Sequence, residues 1–180
     1  MVAAPGRIGD SLVMVSRLYD PAQHRALDAR AWSETEARVA IEAIACDAIS
    51  ACRGLGRLWP NALDDLEGEA DVPFRSAYLG AAGVAWALDL LARDRLAPEL
   101  PDLAELADSL PEGFRRAPEL VALAPAPAAS LLFGETGVLL AVEAIRRDGE
   151  HLDDLEASIR RNAHNATREL CWGSPGTVVS

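Results

Sequence analysis

Leu79-Gly80-Ala81-Ala82-Gly83-Val84 is the first of three similar stretches, followed by Phe133-Gly134-Glu135-Thr136-Gly137-Val138 and Trp172-Gly173-Ser174-Pro175-Gly176-Thr177. Each stretch has a large apolar residue, the pattern Gly-x-x-Gly and then a β-branched residue. The distance between copies leaves room for a helix, a loop and a returning helix. Glycine at the start of a helix adopts backbone angles that other residues resist, and it lets a neighbouring backbone come close. The pattern predicts repeated helical hairpins whose inner helices crowd around an axis.

Helical segments of two kinds alternate along the chain. Residues 76–88 carry no charge on any face, and residues 130–149 have the same apolar character, which is typical of central helices surrounded by other protein. Residues 102–110 and 150–163 are polar, with a narrow apolar stripe. Because no alternating-strand pattern of convincing length appears, the predicted fold class is all-α.

Local signals place the ends of some helices. Ser33 followed by Glu36 is a capping-box pair, and it predicts an amphipathic helix that runs to about Arg53 and ends at Gly54. Pro111 is predicted to break or kink the polar helix that contains it, because proline lacks the amide that the helix needs.

Length and charge exclude several classes of protein. The 180 residues fit about one domain. The net charge of −11 repels the phosphates of nucleic acid and the surface of anionic lipid. The most apolar stretch, Ala77–Leu88, is too short to span a bilayer, and the N-terminus lacks a basic segment followed by an unbroken apolar one. We therefore expect neither a nucleic-acid nor a membrane partner.

The cysteines indicate a reducing compartment. Cys46, Cys52 and Cys171 are odd in number and widely spaced, which is not typical of a disulfide framework. The simplest predicted location is the cytoplasm. Cys46 and Cys52 fall on different faces of one helix, so they are interpreted as core positions rather than as a metal-binding pair.

The three glycine stretches resemble the first three glycine repeats of the lanthionine synthetase C-like (LanC-like) proteins. The resemblance rests on "YLGAAGV", "LLFGETGV" and "ELCWGSPGT" and covers about residues 58–180. It implies an α/α toroid of inner and outer helices, of which this chain, at about half the family's length, would form an incomplete N-terminal part. Members of the family hold a catalytic zinc and add Cys thiols to dehydrated Ser or Thr in peptides. Others are proposed to add glutathione.

The resemblance also implies where a zinc site would lie. In the family, a Cys in a Trp-Cys-x-Gly-x-Pro-Gly repeat and a later Cys-His pair hold the metal. Cys171 in "LCWGSPG" is similar to the first of these, but it lies in the third repeat, before the family's zinc repeats, and the sequence contains no Cys-His pair. A catalytic zinc needs about three protein ligands, and Cys171 with His164 supplies two. We therefore predict no metal, cofactor or catalytic residue in this chain, and Cys171 is interpreted as a packed thiol.

Other polar residues receive structural interpretations. His24, His151 and His164 lie in polar surroundings and are interpreted as surface imidazoles. Glu135 is interpreted as a capping group, because a carboxylate suits the positive end of a helix. The acidic residues within 64–71 and 153–156 are interpreted as solvated surfaces.

These observations lead to one principal hypothesis. Residues 1–30, in which Met14 is an alternative start, form a poorly defined segment, and residues 31–180 form a partial LanC-like toroid. The family implies a peptide or small-thiol substrate, whereas this chain alone is expected to be non-catalytic. An incomplete toroid is also expected to self-associate or fray, because its last inner helix lacks a neighbour.

Two alternatives stay open. The first is a non-catalytic helical-repeat module that binds a peptide or a protein. The second is part of an α/α-toroid glycosidase, in which two carboxylates would flank a sugar bond. The sequence offers few acids in its inner segments, which disfavours the second.

Overall fold

The computed structural model describes residues 31–60, 73–119 and 129–177, and within these ranges it contains helices and turns but no β-strand. The all-α prediction is confirmed for this part of the chain. The helices are α1 (Glu34–Ala51), α2 (Ala81–Arg93), α3 (Leu103–Arg116), α4 (Glu135–Arg146) and α5 (Leu152–Ala163), followed by a short 3₁₀ helix (Ser174–Thr177). The chain divides into two units, residues 1–33 and 34–180, and these helices all lie in the second. No helix in the described ranges is long and apolar enough to cross a bilayer.

Polar and apolar helices alternate along the described chain, and we call the polar ones outer and the apolar ones, with the 3₁₀ helix, inner. The apolar helices α2 and α4 contact each other, and α3 packs against both. Helix α5 contacts α4 and the 3₁₀ helix, and α1 contacts α2. We call α1 with α2 repeat 1, α3 with α4 repeat 2, and α5 with the 3₁₀ helix repeat 3. Each repeat thus pairs a polar outer helix with an inner element that begins at a glycine pair.

The apolar core lies between α2, α3 and α4. Leu106, Leu110 and Phe114 of α3 are almost completely buried, and they pack with small or β-branched residues of the inner helices, which are Ala82, Ala85, Val138, Ala141 and Val142. Small side chains let the two inner helices approach, and the larger side chains of α3 fill the remaining space. Burying each Leu or Phe contributes about 1.5–3 kcal/mol. Helix α3 therefore holds the two inner helices together.

The second glycine of each pair makes the same close backbone contact. A Cβ placed on it would overlap the carbonyl oxygen of the residue six positions earlier, in the pairs Gly83 with Ala77, Gly137 with Leu131, and Gly176 with Leu170. None of these three glycines has a positive φ. The second glycine is therefore required by lack of space rather than by an unusual backbone angle.

A close approach at the first glycine caps the first inner helix, because a Cβ placed on Gly80 would overlap the backbone of residues 74–76. The N-cap residue of α2 is Gly80, which has no side chain to accept a hydrogen bond. The amides of Ala81 and Ala82 donate instead to the carbonyl oxygens of Phe74 and Arg75, at 2.9 and 3.3 Å. The segment before the helix folds back over its first turn and satisfies amides that a helix end otherwise leaves unpaired.

Two expectations about the helices are corrected. Of the break or kink predicted at Pro111, the break does not occur, because α3 continues through the proline to Arg116. The proline is buried in the helix, and this burial offsets the loss of one amide donor. Helix α2 is not surrounded by protein on all sides, because Ala87 and Leu90 are exposed and Val84 is only half-buried.

We predict that Gly137→Ala destabilises the protein by about 2 kcal/mol or more, because its Cβ meets a backbone carbonyl that has no room to move. Gly56→Ala is the matched control, since nothing lies within 4 Å of its Cβ position. The control should change the free energy of unfolding by less than about 1 kcal/mol. Urea denaturation followed by circular dichroism measures both. Equal stability of the two variants would contradict the close contact.

Candidate functional site

Three aromatic residues, Tyr78, Phe133 and Trp172, contact one another in sequence and form what we call the aromatic row. Each lies one or two residues before the first glycine of a pair, in a segment that we call a glycine turn. The ring centroids of Tyr78 and Phe133 are 5.1 Å apart with the planes inclined at 59°, and those of Phe133 and Trp172 are 4.1 Å apart and nearly parallel at 11°. The tilted Tyr78–Phe133 pair lies within the range of centroid distances that aromatic pairs prefer. Phe133 is buried and Trp172 is half-buried, whereas Tyr78 is 64% exposed. Of the three rings, that of Tyr78 is therefore the one that is largely exposed, and Phe133 supports it from below.

Matching side chains hold two of these turns. In repeat 1, the Leu79 amide donates to Ser76 Oγ at 3.3 Å. In repeat 3, the Trp172 amide donates to Glu169 Oε1, and the Cys171 amide donates to Oε2 at 3.1 Å. Ser76 and Glu169 occupy the same position, four residues before the first glycine. An acceptor at this position therefore orients the aromatic end of the turn in both repeats.

Buried amides tie the third turn to α5. Asn162 Nδ2 donates to the Gly173 carbonyl at 2.9 Å, and Asn165 Nδ2 donates to the Trp172 carbonyl at 2.8 Å and to Asn162 Oδ1 at 2.9 Å. Both asparagines are buried. Because a buried polar group left unpaired is costly, these bonds fix the position of Trp172 in the row.

Glu119 binds the first glycine turn although it lies more than forty residues away in sequence. Its carboxylate is buried and accepts hydrogen bonds from the amide of Arg75 and from that of Ser76, the latter at 3.0 and 3.2 Å. Burial raises the pKa of Glu119 above its usual value, although the amide donors act in the opposite direction. The residue therefore positions the turn that carries Tyr78.

Glu135 does not cap α4 as the sequence interpretation proposed. It is the first residue of α4, is buried, and forms ion pairs with Arg115 of α3 and Arg161 of α5. Arg115 also binds Asp154 at 2.6 Å, which raises the pKa of Arg115 and lowers the pKa of Asp154. The capping interpretation fails because the fold brings arginines from two outer helices, α3 and α5, to the Glu135 carboxylate. The carboxylate links repeats 2 and 3.

The residues that were weighed as metal ligands differ in their exposure. Cys46 is exposed on α1, so its assignment as a core position is wrong, and Cys52 is half-buried just after that helix. Cys171 is half-buried in the third turn, and His164 is exposed at the end of α5. Within residues 31–60, 73–119 and 129–177, no group of three His, Cys, Asp or Glu side chains is placed to hold a metal.

The remaining sequence interpretations have mixed outcomes. His151 is half-buried at the start of α5, and its amide donates to Glu143 Oε1 at 2.6 Å. Asp153, Asp154 and Glu156 are exposed on α5, in agreement with a solvated surface. His24 and the acidic residues within 64–71 lie outside the described residues.

Sequence reasoning missed the aromatic row and Glu119. Two members of the row have a signal, because Phe133 and Trp172 each lie just before the first glycine of a pair, whereas Tyr78 lies two residues before Gly80. Glu119 has none, because it lies more than forty residues from the amides that it binds. Comparisons with protein families, curated proteins and solved structures find no match for this chain.

We predict that Glu119 makes the protein less stable as the pH rises. Its folded pKa lies above the ordinary value of 4.5, so the folded state binds more protons than the unfolded chain in the range just above that value. The stabilisation is present below about pH 4.5 and is lost as the pH rises through the folded pKa. Glu119→Gln keeps an oxygen acceptor without this titration.

The stability of Glu119→Gln relative to the wild type should therefore increase between about pH 4 and about pH 7. Urea midpoints at each pH measure the difference. Glu105→Gln makes the same change of charge at an exposed residue of α3 and serves as the control for net charge. If the stability of Glu119→Gln relative to the wild type stays constant or decreases with pH, burial does not raise the pKa of Glu119.

Proposed function

We propose that this chain is an N-terminal part of a LanC-like α/α toroid, whose complete members add thiols to dehydrated Ser or Thr in peptides with the help of zinc. The observation that carries the proposal is the shared turn geometry. In all three copies the second glycine lies against the carbonyl six residues earlier. The alternation of polar outer helices with apolar inner elements supports the same architecture. The partner implied is a peptide with dehydrated residues, or a small thiol.

In such a thiol addition, this chain supplies a surface that binds the peptide and not the residues that carry out the reaction. The exposed ring of Tyr78 and the half-buried ring of Trp172 suit the apolar and aromatic side chains of a peptide, because flat rings bury area at little cost in conformational entropy. Its most exposed member, Tyr78, offers a ring face and a hydroxyl. The catalytic zinc and its ligands belong to other repeats of such a toroid.

A second candidate is a helical-repeat module that binds a peptide without any reaction. The aromatic row favours it equally, since this surface does not depend on zinc. The glycosidase alternative has less support. The buried acids among the described residues are Asp89, Glu119 and Glu135. Arginines pair with Asp89 and Glu135, and backbone amides bind Glu119, so no pair of them is open to a sugar.

We predict that the purified chain binds a peptide containing dehydroalanine but adds no thiol to it. Isothermal titration measures binding, and mass spectrometry after incubation with glutathione and Zn²⁺ measures addition. Tyr78→Ala should weaken peptide binding by about tenfold, which corresponds to losing one aromatic anchor. Tyr78→Phe keeps the ring and should retain most of the affinity.

Two further measurements separate the candidates. Binding of a neutral oligosaccharide instead of the peptide would support the glycosidase and exclude both peptide hypotheses.

Elemental analysis after dialysis measures the zinc content of the purified chain. About one zinc per chain that is lost in Cys171→Ala would show that the third repeat already belongs to the catalytic centre, and the division of labour proposed above would be wrong.

A further inference from the structure

A cavity lies at the C-terminal end of α2, whereas the glycine turn with Tyr78 precedes the N-terminal end of that helix. Its volume is about 600 Å³, and it is lined by α1, the last turns of α2 and the segment that joins α2 to α3. This volume is within the range of roughly 300–1,000 Å³ that is typical of small-molecule sites. The cavity is therefore formed where repeat 1 leads into repeat 2.

Four charged side chains, two of each sign, line this cavity from two sides. Arg38 and Glu42 lie one turn apart on α1, and Arg95 and Glu99 lie in the segment after α2. Among the described residues, the only ion pair that involves any of the four joins Arg38 to Glu34 within α1, at 3.1 Å. The charges on the two sides therefore do not pair with each other across the cavity.

Arg95 has an unusual backbone conformation. Its φ is 56°, in the left-handed region that favours glycine, and its amide donates to the Ala92 carbonyl at 3.0 Å. Arg147, which follows α4, has a similar φ of 55°, and its guanidinium pairs with Asp89 at 3.7 Å. No carboxylate among the described residues pairs with Arg95 in this way. A guanidinium is thus held at the cavity at the expense of backbone strain, without an acidic partner in the described part of the chain.

We propose that this cavity binds a small zwitterion of the amino-acid or short-peptide class, which has a free carboxylate and a free ammonium group. The two arginines of the lining bind the carboxylate through charge-assisted hydrogen bonds, and the two glutamates bind the ammonium group. The charges of the lining sum to zero, as do those of a zwitterion, whereas a simple anion or cation leaves two of them without a partner. The apolar part of the ligand contacts the half-buried side chains of Ala92, Leu96 and Ala97.

Three forms of one dipeptide test the charge requirement. Alanyl-alanine carries both end charges, N-acetyl-alanyl-alanine keeps only the carboxylate, and alanyl-alanine amide keeps only the ammonium group. Titration followed by the amide resonances of the protein should show that alanyl-alanine binds with a Kd of about 1 mM or tighter. Each blocked form should bind about tenfold or more weakly, because it loses one of the two charged contacts.

Arg95→Gly and Glu42→Gln test the location of the site. Arg95→Gly removes the guanidinium and relieves the left-handed strain, so it should weaken binding about tenfold or more while leaving the protein at least as stable to urea as the wild type. Arg147→Gly removes an arginine of the same conformation outside the cavity and should keep the affinity. Glu42→Gln should also weaken binding, whereas Glu105→Gln, at an exposed glutamate of α3 outside the cavity, should not.

Three results would overturn the proposal. These are no binding of alanyl-alanine up to its solubility limit, equal binding of the three forms, and an unchanged affinity in both Arg95→Gly and Glu42→Gln. The inference does not rest on the proposed peptide binding at Tyr78, so Tyr78→Ala should bind alanyl-alanine as the wild type does. A dehydroalanine peptide with blocked ends carries neither end charge, and its binding therefore reports on Tyr78 and not on this cavity.

Discussion

The fit of a carbonyl oxygen against the second glycine of each pair is the constraint on which the rest of the structure depends. In repeat 1 the first glycine, Gly80, likewise lies against the backbone of residues 74–76, and this segment folds back until the carbonyls of Phe74 and Arg75 accept the first amides of α2. Backbone carbonyls alone therefore bind amides that the helix end would otherwise leave unpaired. Phe133 and Trp172, which stack on each other, lie just before the first glycines of repeats 2 and 3, whereas Tyr78 lies two residues before Gly80.

The crowding that glycine permits also buries polar groups, and each of these has a partner from elsewhere in the chain. Glu119 binds the amides of the first turn, and Asn162 and Asn165 bind the carbonyls of the third. Glu135 joins arginines from α3 and α5. Since an unpaired buried polar group costs about 1–3 kcal/mol, these contacts favour one arrangement of the repeats over others.

Much of the fold follows from local pattern, and the parts that do not are those that depend on distant residues. The glycine pairs and the charge alternation predict the order of inner and outer helices, because spacing and polarity act within a few turns of helix. The partners of Glu119 and Glu135 are separated from them by twenty residues or more, and no local signal marks them. The exposed side of α2 was missed because its residues are as apolar as those of α4. Which apolar face lacks a neighbour is decided by tertiary packing.

The most direct measurement of the repeat interface is nuclear Overhauser spectroscopy on a sample with assigned methyl and glycine resonances. The account predicts strong cross-peaks from the Ala77 methyl group to the Gly137 α-protons and from the Leu131 side chain to the Gly176 α-protons. A Cβ placed on Gly137 would lie 2.9 Å from the Cβ of Ala77, and one placed on Gly176 would lie 3.3 Å from the Cβ of Leu131. Each pair is far apart in sequence, so the cross-peaks are expected only if successive glycine turns pack on one another. Assigned spectra that lack both cross-peaks, with the helices intact, would contradict the repeat architecture.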